Sequence, residues 1–221
     1  MRENHLTFKI EFFMFRYFRF MITKISCNDN QQPVGAKLKN LSKIFQTGSL
    51  LESFENQIEI STLHIESCED QMKFRLPEMT DTAFEASISF YQEIECLKTE
   101  SSGNSRQEKG LIFSGFRVAE EDSFRYFTRN WREVCGLGNI LTYLEVKYFV
   151  KTASFLANSS FLDKSEDFHF IVIMEVYYNS LDLIHLLDFV QKFRVERNVG
   201  FISIYTELKL NFELKDESLS Q

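Results

Sequence analysis

The first residues that could do chemistry form a run of aromatic and basic side chains, F-F-M-F-R-Y-F-R-F, over residues 12–20. Aromatic rings beside arginine on an exposed sheet face stack unpaired bases in RNA-binding modules. The run is also typical of an edge strand with buried rings and arginines that reach solvent along their stems, which we favour because a glycine-containing RNA-binding signature is missing. The residues of this candidate nucleic-acid or partner surface are Lys9, Phe13, Phe15, Arg16, Tyr17 and Arg19.

A second candidate is the alternation of His64, Glu66 and Cys68, which would share one face of a strand and could gather a metal ion. The H-x-E pair also begins the zinc deaminase signature, which requires a downstream P-C-x-x-C. Here Pro77 is followed by E-M-T instead. Because further ligands are missing, we interpret the alternation as a solvated strand face and predict no metal and no other cofactor.

No other polar grouping indicates a catalytic site. Asp182, His185 and Asp188 would lie opposite the apolar face of a predicted helix and would therefore be bathed in water. The segment 136–139, G-L-G-N, follows a predicted helix and does not open one, which is the wrong polarity for a phosphate cradle. We interpret this segment as a helix stop and predict no catalytic residues.

The second half of the chain gives the clearest structural pattern, strand–helix–strand written twice. Period-two alternation predicts strands, and apolar spacings of three and four predict helices. The predicted strands are 111–118, 140–156, 168–178 and 201–214, and the predicted helices are 121–135 and 180–198. The resulting βαββαβ order predicts an α+β fold, a ferredoxin-like sandwich in the C-terminal half.

The first half is less regular. Its pattern predicts strands at 6–26, 57–66 and 71–76 and helices at 34–55 and 80–98. The order βαββα indicates either a second, incomplete ferredoxin-like module or one sheet that continues through both halves. Tandem modules of this order resemble the RAMP proteins of CRISPR systems in element order alone, since the glycine-rich loop near the C-terminus of those proteins is absent.

The division of the chain follows from one polar stretch. Residues 99–110, T-E-S-S-G-N-S-R-Q-E-K-G, contain no apolar side chain and predict a linker or exposed loop. The sequence therefore predicts an N-terminal module over 1–98, a ferredoxin-like module over 111–215 and a tail over 216–221.

Charge and composition narrow the functional classes. The net charge is −7, but residues 1–50 hold eight basic against three acidic side chains, and the remainder holds seventeen against twenty-nine. The acidic remainder opposes nonspecific phosphate binding. We therefore expect a noncatalytic interaction or structural subunit that binds a partner or its own copy through sheet edges, with single-stranded nucleic-acid binding as the alternative and an enzyme third.

The expected location is intracellular. The four cysteines are scattered without C-x-x-C spacing, which favours thiols in a reducing compartment, cytoplasmic or nuclear. Arginines near the N-terminus leave mitochondrial import open. Arg16 and Arg19 interrupt the apolar opening residues, so the run of about twenty apolar residues that a membrane span needs is not formed there.

Overall fold

One curled antiparallel sheet dominates the described part of the protein. The computed structural model describes residues 8–10, 17–24, 48–55, 60, 62–68, 85–99, 107–118, 121–145, 149–158, 168–197 and 200–207. The strands are β1 (Phe8–Ile10), β2 (Tyr17–Lys24), β3 (Ser49–Ser53), β4 (Thr62–Cys68), β5 (Glu85–Thr99), β6 (Glu108–Phe116), β7 (Phe149–Asn158), β8 (Phe170–Tyr178) and β9 (Phe201–Glu207). The helices are α1 (Glu121–Val134), α2 (Leu137–Glu145) and α3 (Leu183–Arg197), with a 3-10 turn at Ser180–Asp182. The α+β class is therefore confirmed.

The sheet closes on itself through β5. The strand order is β1-β5-β2-β4-β3-β9-β6-β8-β7, and β5 also pairs with β7. Eight strands therefore form a closed sheet. The ninth strand, β1, pairs with the last residues of β5, beyond the residues of β5 that pair with β2. Each of the eight has a neighbour on both sides over part of its length, while partner binding through an edge remains a prediction.

The two faces of the closed sheet carry separate hydrophobic cores. The outer core joins strand residues such as Phe155 and Phe170 to Trp131 of α1 and Leu186 of α3. Since the helices cover that face, the opposite face lies inside the closed sheet. The buried residues of the inner core are Leu51, Ile60, Leu63, Tyr91, Phe113, Leu156, Phe168, Ile171 and Tyr205.

The helices occupy the positions predicted at 121–135 and 180–198. In α1, Phe127 and Trp131 are buried one turn apart, and Gly136 with φ of +68° ends the helix. The interpretation of 136–139 as a helix stop that opens no helix is wrong in its second part, because α2 begins at Leu137. In α3, Leu186 and Val190 are fully buried at the same spacing. No helix in the described residues is both long and apolar enough to cross a membrane.

The helix predicted over 80–98 is wrong, because residues 85–99 form strand β5. The positions Ile88, Tyr91 and Ile94 have helical spacing, but pairing with β2 on one side and β7 on the other determines the conformation. A register shift between Glu93 and Glu95 then changes which residues of the strand face each side of the sheet. Ile94 consequently lies at the irregularity with 44% of its surface exposed.

The strand predicted over 140–156 is partly wrong, because its first residues belong to α2. Ile140, Leu141 and Leu144 are buried at helical spacing, and this contact with the outer core outweighs the alternation. The strand begins at Phe149. The predicted strands 168–178 and 201–214 contain β8 and β9, and the strand predicted over 111–118 overlaps β6, which begins three residues earlier at Glu108 and ends at Phe116. Residues 208–214 lie outside the described residues.

Two other predictions in the first half need correction. Residues 49–53 form a strand within the helix predicted over 34–55, and the strand predicted over 57–66 is displaced to Thr62–Cys68. Residues 49–53 pair with β4 and β9, which fixes them as strand. Residues 71–76 lie outside the described residues, as do 34–47.

Glu55 joins the two halves of the chain, residues 8–99 and 107–207, at the β3–β9 contact. Its carboxylate accepts hydrogen bonds from Arg194 of α3 (2.8 Å) and from Ser203 of β9 (2.6 Å). Arg194 also donates through Nε to the carbonyl of Ile202 at 3.2 Å. The second half therefore supplies a cation and a hydroxyl that hold a carboxylate of the first half.

Glu95 joins the halves at the β5–β7 contact in a similar way. The indole N–H of Trp131 donates to Glu95 Oε2 at 2.9 Å, and Arg132 forms an ion pair with the other oxygen. The Trp131 ring stacks on Phe155 of β7 at 4.7 Å. A carboxylate of the first half is again held by a helix of the second.

Replacing Gly200 by alanine should lower the free energy of unfolding by about 2 kcal/mol or more, because Gly200 has φ of +73° and an added Cβ would collide with the carbonyl oxygen of Gly115. Gly138 in α2 is the matched control. Its added Cβ would meet nothing within 4 Å, so G138A should stabilise by up to about 1 kcal/mol. Denaturant titration measures both, and equal effects would contradict the placement of Gly200.

The pH dependence of stability should include a contribution from Glu55. Burial opposes its ionisation, but hydrogen bonds from Arg194 and Ser203 outweigh burial and hold the pKa of the Glu55 carboxyl below its usual 4.5. A carboxyl group whose pKa is lower in the folded state stabilises the protein at pH values above its unfolded-state pKa. That contribution is lost as the pH falls through the folded-state pKa.

Glu55→Gln should therefore cost about 1–3 kcal/mol at neutral pH and flatten the acid limb of the stability curve below pH 4.5. Urea titration at a series of pH values measures this difference. Asp188→Asn, which removes an exposed ion pair with Lys192, is the control and should change neither quantity. An unchanged acid limb in Glu55→Gln would contradict the assignment.

Candidate functional site

A pocket opens at one end of the closed sheet, where β2, β3, β6 and β7 begin and β4, β5, β8 and β9 end. We call it the mouth pocket. Its volume is about 310 Å³, and it is lined by Phe18, Gly48, Ser49, Leu51, Ile65, Ser67, Lys109, Gly110, Leu111, Glu175, Tyr205 and Glu207. These residues come from six consecutive strands, so the pocket exists only because the sheet curls.

The inner wall of the mouth pocket is apolar and rigid. Tyr205 lies at its base, fully buried, and donates its hydroxyl to the carbonyl of Ile60 at 2.8 Å. The Tyr205 ring makes an edge contact with Phe113 at 6.1 Å. Burial raises the pKa of the Tyr205 hydroxyl far above its usual value of 10.0, so this group stays protonated and the ring alone contributes to the wall.

The polar side of the pocket is organised by Glu175. Its carboxylate lies 3.4 Å from Nζ of Lys109 and 3.3 Å from Nζ of Lys151, and it accepts a hydrogen bond from Tyr177 at 2.8 Å. Burial opposes ionisation, but Tyr177 and the two lysines outweigh burial and hold the pKa of the Glu175 carboxyl below 4.5. Its negative charge in turn raises the pKa of Lys151. Both lysine side chains remain about half exposed.

An irregularity in β7 brings Lys151 to this carboxylate. The register with β8 shifts between Val150 and Thr152, and Thr152 rather than Lys151 is opposite Glu175. An extra residue of this kind redirects a side chain and is common next to functional sites. The bulge therefore allows two neighbouring strands to place lysines on one carboxylate.

A second carboxylate, Glu207, lines the opening from β9, two strands from Glu175 with β6 between them. It is exposed, and Ser49 donates its hydroxyl to Glu207 at 3.3 Å. Leu111 is opposite Tyr205 in the register, and Lys109 and Glu207 each lie two residues nearer the mouth on these strands. A cation and a carboxylate therefore flank the same opening from adjacent strands.

Three of the six residues of the predicted N-terminal surface lie within the described residues. Lys9 is in β1 with its Cα opposite that of Lys98, and Tyr17 and Arg19 are in β2 opposite Gln92 and Phe90 of β5. Phe13, Phe15 and Arg16 fall outside the described residues. The surface thus remains a prediction.

The other sequence candidates are dispersed. His64 in β4 is 1% exposed, so the interpretation of a solvated strand face is wrong for this residue, which is buried on the face opposite Leu63. His185 and Asp188 are exposed as predicted, and Asp188 pairs with Lys192 at 2.7 Å. Among the residues that the structure describes, no three potential ligands gather in a way that could hold a metal ion.

Sequence reasoning missed Lys109, Glu175 and Glu207. Lys109 belongs to the polar stretch 99–110 that predicts a linker, whereas in the structure it lies in the strand Glu108–Phe116. The sequence did indicate that Glu175 is unusual, because it is the single charged residue in F-I-V-I-M-E-V-Y-Y, a segment that is apolar on both faces. An ionisable residue there requires partners, and only pairing with β6 and β7 identifies them.

A family model with the description "Domain of unknown function (DUF7153)" matches residues 45–207. No curated protein matches the chain.

Several solved structures are similar over most of the chain. An anthrone oxidase-like protein is 12% identical, with 91% of this chain and 94% of that chain covered and a TM-score of 0.48. A mutant chlorite dismutase from Candidatus Nitrospira defluvii is 10% identical, with coverages of 87% and 91% and a TM-score of 0.42. LmHde, a heme-degrading enzyme from Listeria monocytogenes, is 10% identical, with coverages of 86% and 98% and a TM-score of 0.35.

These similarities contradict our functional expectation. The similar solved structures are described as enzymes or as enzyme-like. The prediction of a noncatalytic interaction or structural subunit, with nucleic-acid binding as the alternative, is therefore wrong, and so is the prediction that the chain is not an enzyme.

The titration of Glu175 tests the polar side of the pocket. Its carboxyl should titrate below 4.5, and replacing Lys109 and Lys151 together by methionine should raise its pKa, because the two charges favour the ionised form. Carbon-detected NMR of glutamate carboxyl groups measures both values. Lys192→Met is the control and should leave the Glu175 titration unchanged. A Glu175 pKa that does not respond to the double change would contradict the network.

Proposed function

We propose that this chain, which belongs to the family described as a domain of unknown function (DUF7153), is an enzyme that removes a proton from a carbon next to a carbonyl group. Its substrate would be a small, mostly apolar molecule held in the mouth pocket. The observation that carries this proposal is the placement of Lys109 and Glu207 on adjacent strands at the opening of a pocket that has both apolar and polar lining residues. A concave apolar pocket with a few convergent polar groups is the usual form of a small-molecule site.

Lys109 provides the electrophilic group. Its ammonium is held 3.4 Å from Glu175, but half of the side chain remains accessible from the opening. A substrate carbonyl oxygen next to this ammonium gains negative charge as the carbon–hydrogen bond breaks, and a fixed cation stabilises that charge. The electron pair of the broken bond moves into the enolate, whose oxygen is bound by Lys109.

Glu207 accepts the proton. Among the described residues it accepts a single side-chain hydrogen bond, from Ser49 at 3.3 Å, and its side chain is exposed at the opening. Glu175 is the poorer base because Lys109, Lys151 and Tyr177 surround its carboxylate and lower its pKa. Glu175 is therefore a positioning residue that fixes Lys109, and the protonated Glu207 later returns its proton to the product or to water.

We further propose that each half of the chain is a ferredoxin-like module and that residues 99–110 contain the connection between the modules. The order β5-β2-β4-β3 in the first half and β9-β6-β8-β7 in the second supports this, because both place the fourth strand beside the first and the second strand at the end. On this proposal the pocket lies inside a sheet that two related modules complete together.

Exchange of solvent deuterium into small ketones tests the function directly. The purified protein should catalyse exchange at the carbon next to the carbonyl of 2-tetralone or cyclohexanone in D2O, followed by proton NMR. Glu207→Gln should reduce the rate by about 10²–10⁴-fold, since the base is lost. Lys109→Met should reduce it by about 10²–10³-fold, since the enolate loses its cation.

The matched control is Asp188→Asn, which alters an exposed carboxylate of α3 that pairs with Lys192 and does not line the pocket. This variant should retain the full exchange rate. A Glu207→Gln protein as fast as the wild type would remove Glu207 from the mechanism, and absence of exchange with both ketones would overturn the proposed function.

A further inference from the structure

We propose that Tyr177 is a positioning residue of the mouth pocket, which holds one oxygen of Glu175 so that the other oxygen stays on Lys109. The inference deepens the proposed function and rests on it only for the part that Lys109 takes in the reaction. The placement of Lys109 itself follows from the contacts of Glu175.

The two oxygens of Glu175 have different partners. Tyr177 donates its hydroxyl to Oε1 at 2.8 Å, and Nζ of Lys151 lies 3.3 Å from the same oxygen. Oε2 lies 3.4 Å from Nζ of Lys109. The last torsion of a glutamate side chain has no sharp intrinsic preference, so hydrogen bonds decide the plane of the carboxylate. The groups on Oε1 therefore determine where Oε2 meets Lys109.

Lys109 depends on this orientation because its ion pair with Glu175 is diagonal. In the register of β6 and β8, Lys109 is opposite Tyr177, and Leu111 is opposite Glu175. Residues directly opposite each other are closer than diagonal neighbours. Lys109 thus reaches past Tyr177 to a carboxylate two residues away on β8. Since its side chain is about half exposed, water competes for the ammonium if that carboxylate turns.

Tyr177 is better suited than Lys151 to fix the carboxylate. Tyr177 is two residues from Glu175 on one strand, so both side chains lie on the same face. The Tyr177 side chain is a rigid, partly buried ring, whereas Lys151 has a flexible four-carbon stem and is about half exposed. Nζ of Lys151 also lies 5.9 Å from the centroid of the Tyr177 ring. We therefore assign the geometry of the carboxylate to Tyr177 and a contribution of charge to Lys151.

Tyr177 acts through Glu175 and not on the ligand. Lys109 and Glu175 are lining residues of the mouth pocket, whereas Tyr177 and Lys151 are not. Loss of the Tyr177 hydroxyl would leave the lining of the pocket unchanged and alter the position of the ammonium within it. It should therefore affect kcat of the proposed reaction more than KM.

Tyr177→Phe tests the inference, because it removes the hydroxyl and keeps the ring. The pKa of the Glu175 carboxyl should rise, since the hydrogen bond from Tyr177 favours the ionised form. In NMR spectra of the lysine ammonium groups, the Lys109 signal should follow the titration of Glu175 in the wild type and lose that response in the variant. Tyr126→Phe, which removes the hydroxyl of an exposed tyrosine on α1, is the matched control and should change neither signal.

Lys151→Met separates position from charge. It should also raise the pKa of Glu175, but the Lys109 signal should still follow the Glu175 titration, because Tyr177 continues to hold Oε1. In the exchange assay with cyclohexanone, Tyr177→Phe should lower kcat by about tenfold and leave KM within about threefold, because a displaced catalytic group costs rate. Lys151→Met should keep kcat within about threefold, since an exposed charge contributes little.

An unchanged response of Lys109 to the Glu175 titration in Tyr177→Phe would overturn the inference, whether or not the protein is active. Full exchange activity of Tyr177→Phe, in a protein whose exchange is lost in Lys109→Met, would also overturn it and leave the proposed function standing. Loss of the Lys109 response in Tyr177→Phe, with no exchange by the wild type, would support the inference and reject the function.

Discussion

Closure of the sheet by β5 is the constraint on which the rest of the structure depends. β5 pairs with β2 through its first residues and with β7 through its later ones, so it belongs to both halves of the chain. Without the β5–β7 pairing the inner core would face solvent. Glu55 and Glu95 reinforce the two contacts between the halves with arginines of α3 and α1. A partly buried ion pair alone contributes little net stability, but losing one partner would leave the other charge unpaired.

The candidate site is a direct consequence of closure. Glu207, Lys109, Glu175 and Lys151 come from β9, β6, β8 and β7, which are consecutive in the sheet. Their signs alternate around the mouth, and each lysine has a neighbouring strand that carries a carboxylate. Lys109, Glu175 and Glu207 line the opening, and Lys151 pairs with Glu175 beside it. The curl of the sheet directs Leu111, Glu175 and Tyr205 inward, so the pocket combines apolar walls with a carboxylate at the same level of the sheet.

The two carboxylates at the mouth differ because their surroundings differ. Glu175 is only 18% exposed and is surrounded by donors, so its charge is fixed and serves to hold Lys109. Glu207 is exposed and is bound by one serine. The proposed mechanism uses this difference, with Glu175 as the positioning group and Glu207 as the base, and the division follows from the hydrogen-bond donors that surround each carboxylate.

The sequence by itself determined the elements whose pattern and packing agree. Helices α1 and α3 were predicted because Phe127, Trp131, Leu186 and Val190 recur at helical spacing and are also buried. Strand β8 was predicted because its apolar residues alternate and are covered on both faces. The tertiary structure alone decided that residues 85–99 are a strand, since Ile88, Tyr91 and Ile94 fit a helix and only the partners on both sides select extended backbone. It also decided the site: Lys109 and Glu175 are 66 residues apart in the printed sequence, and no local pattern encodes a distance that strand pairing sets.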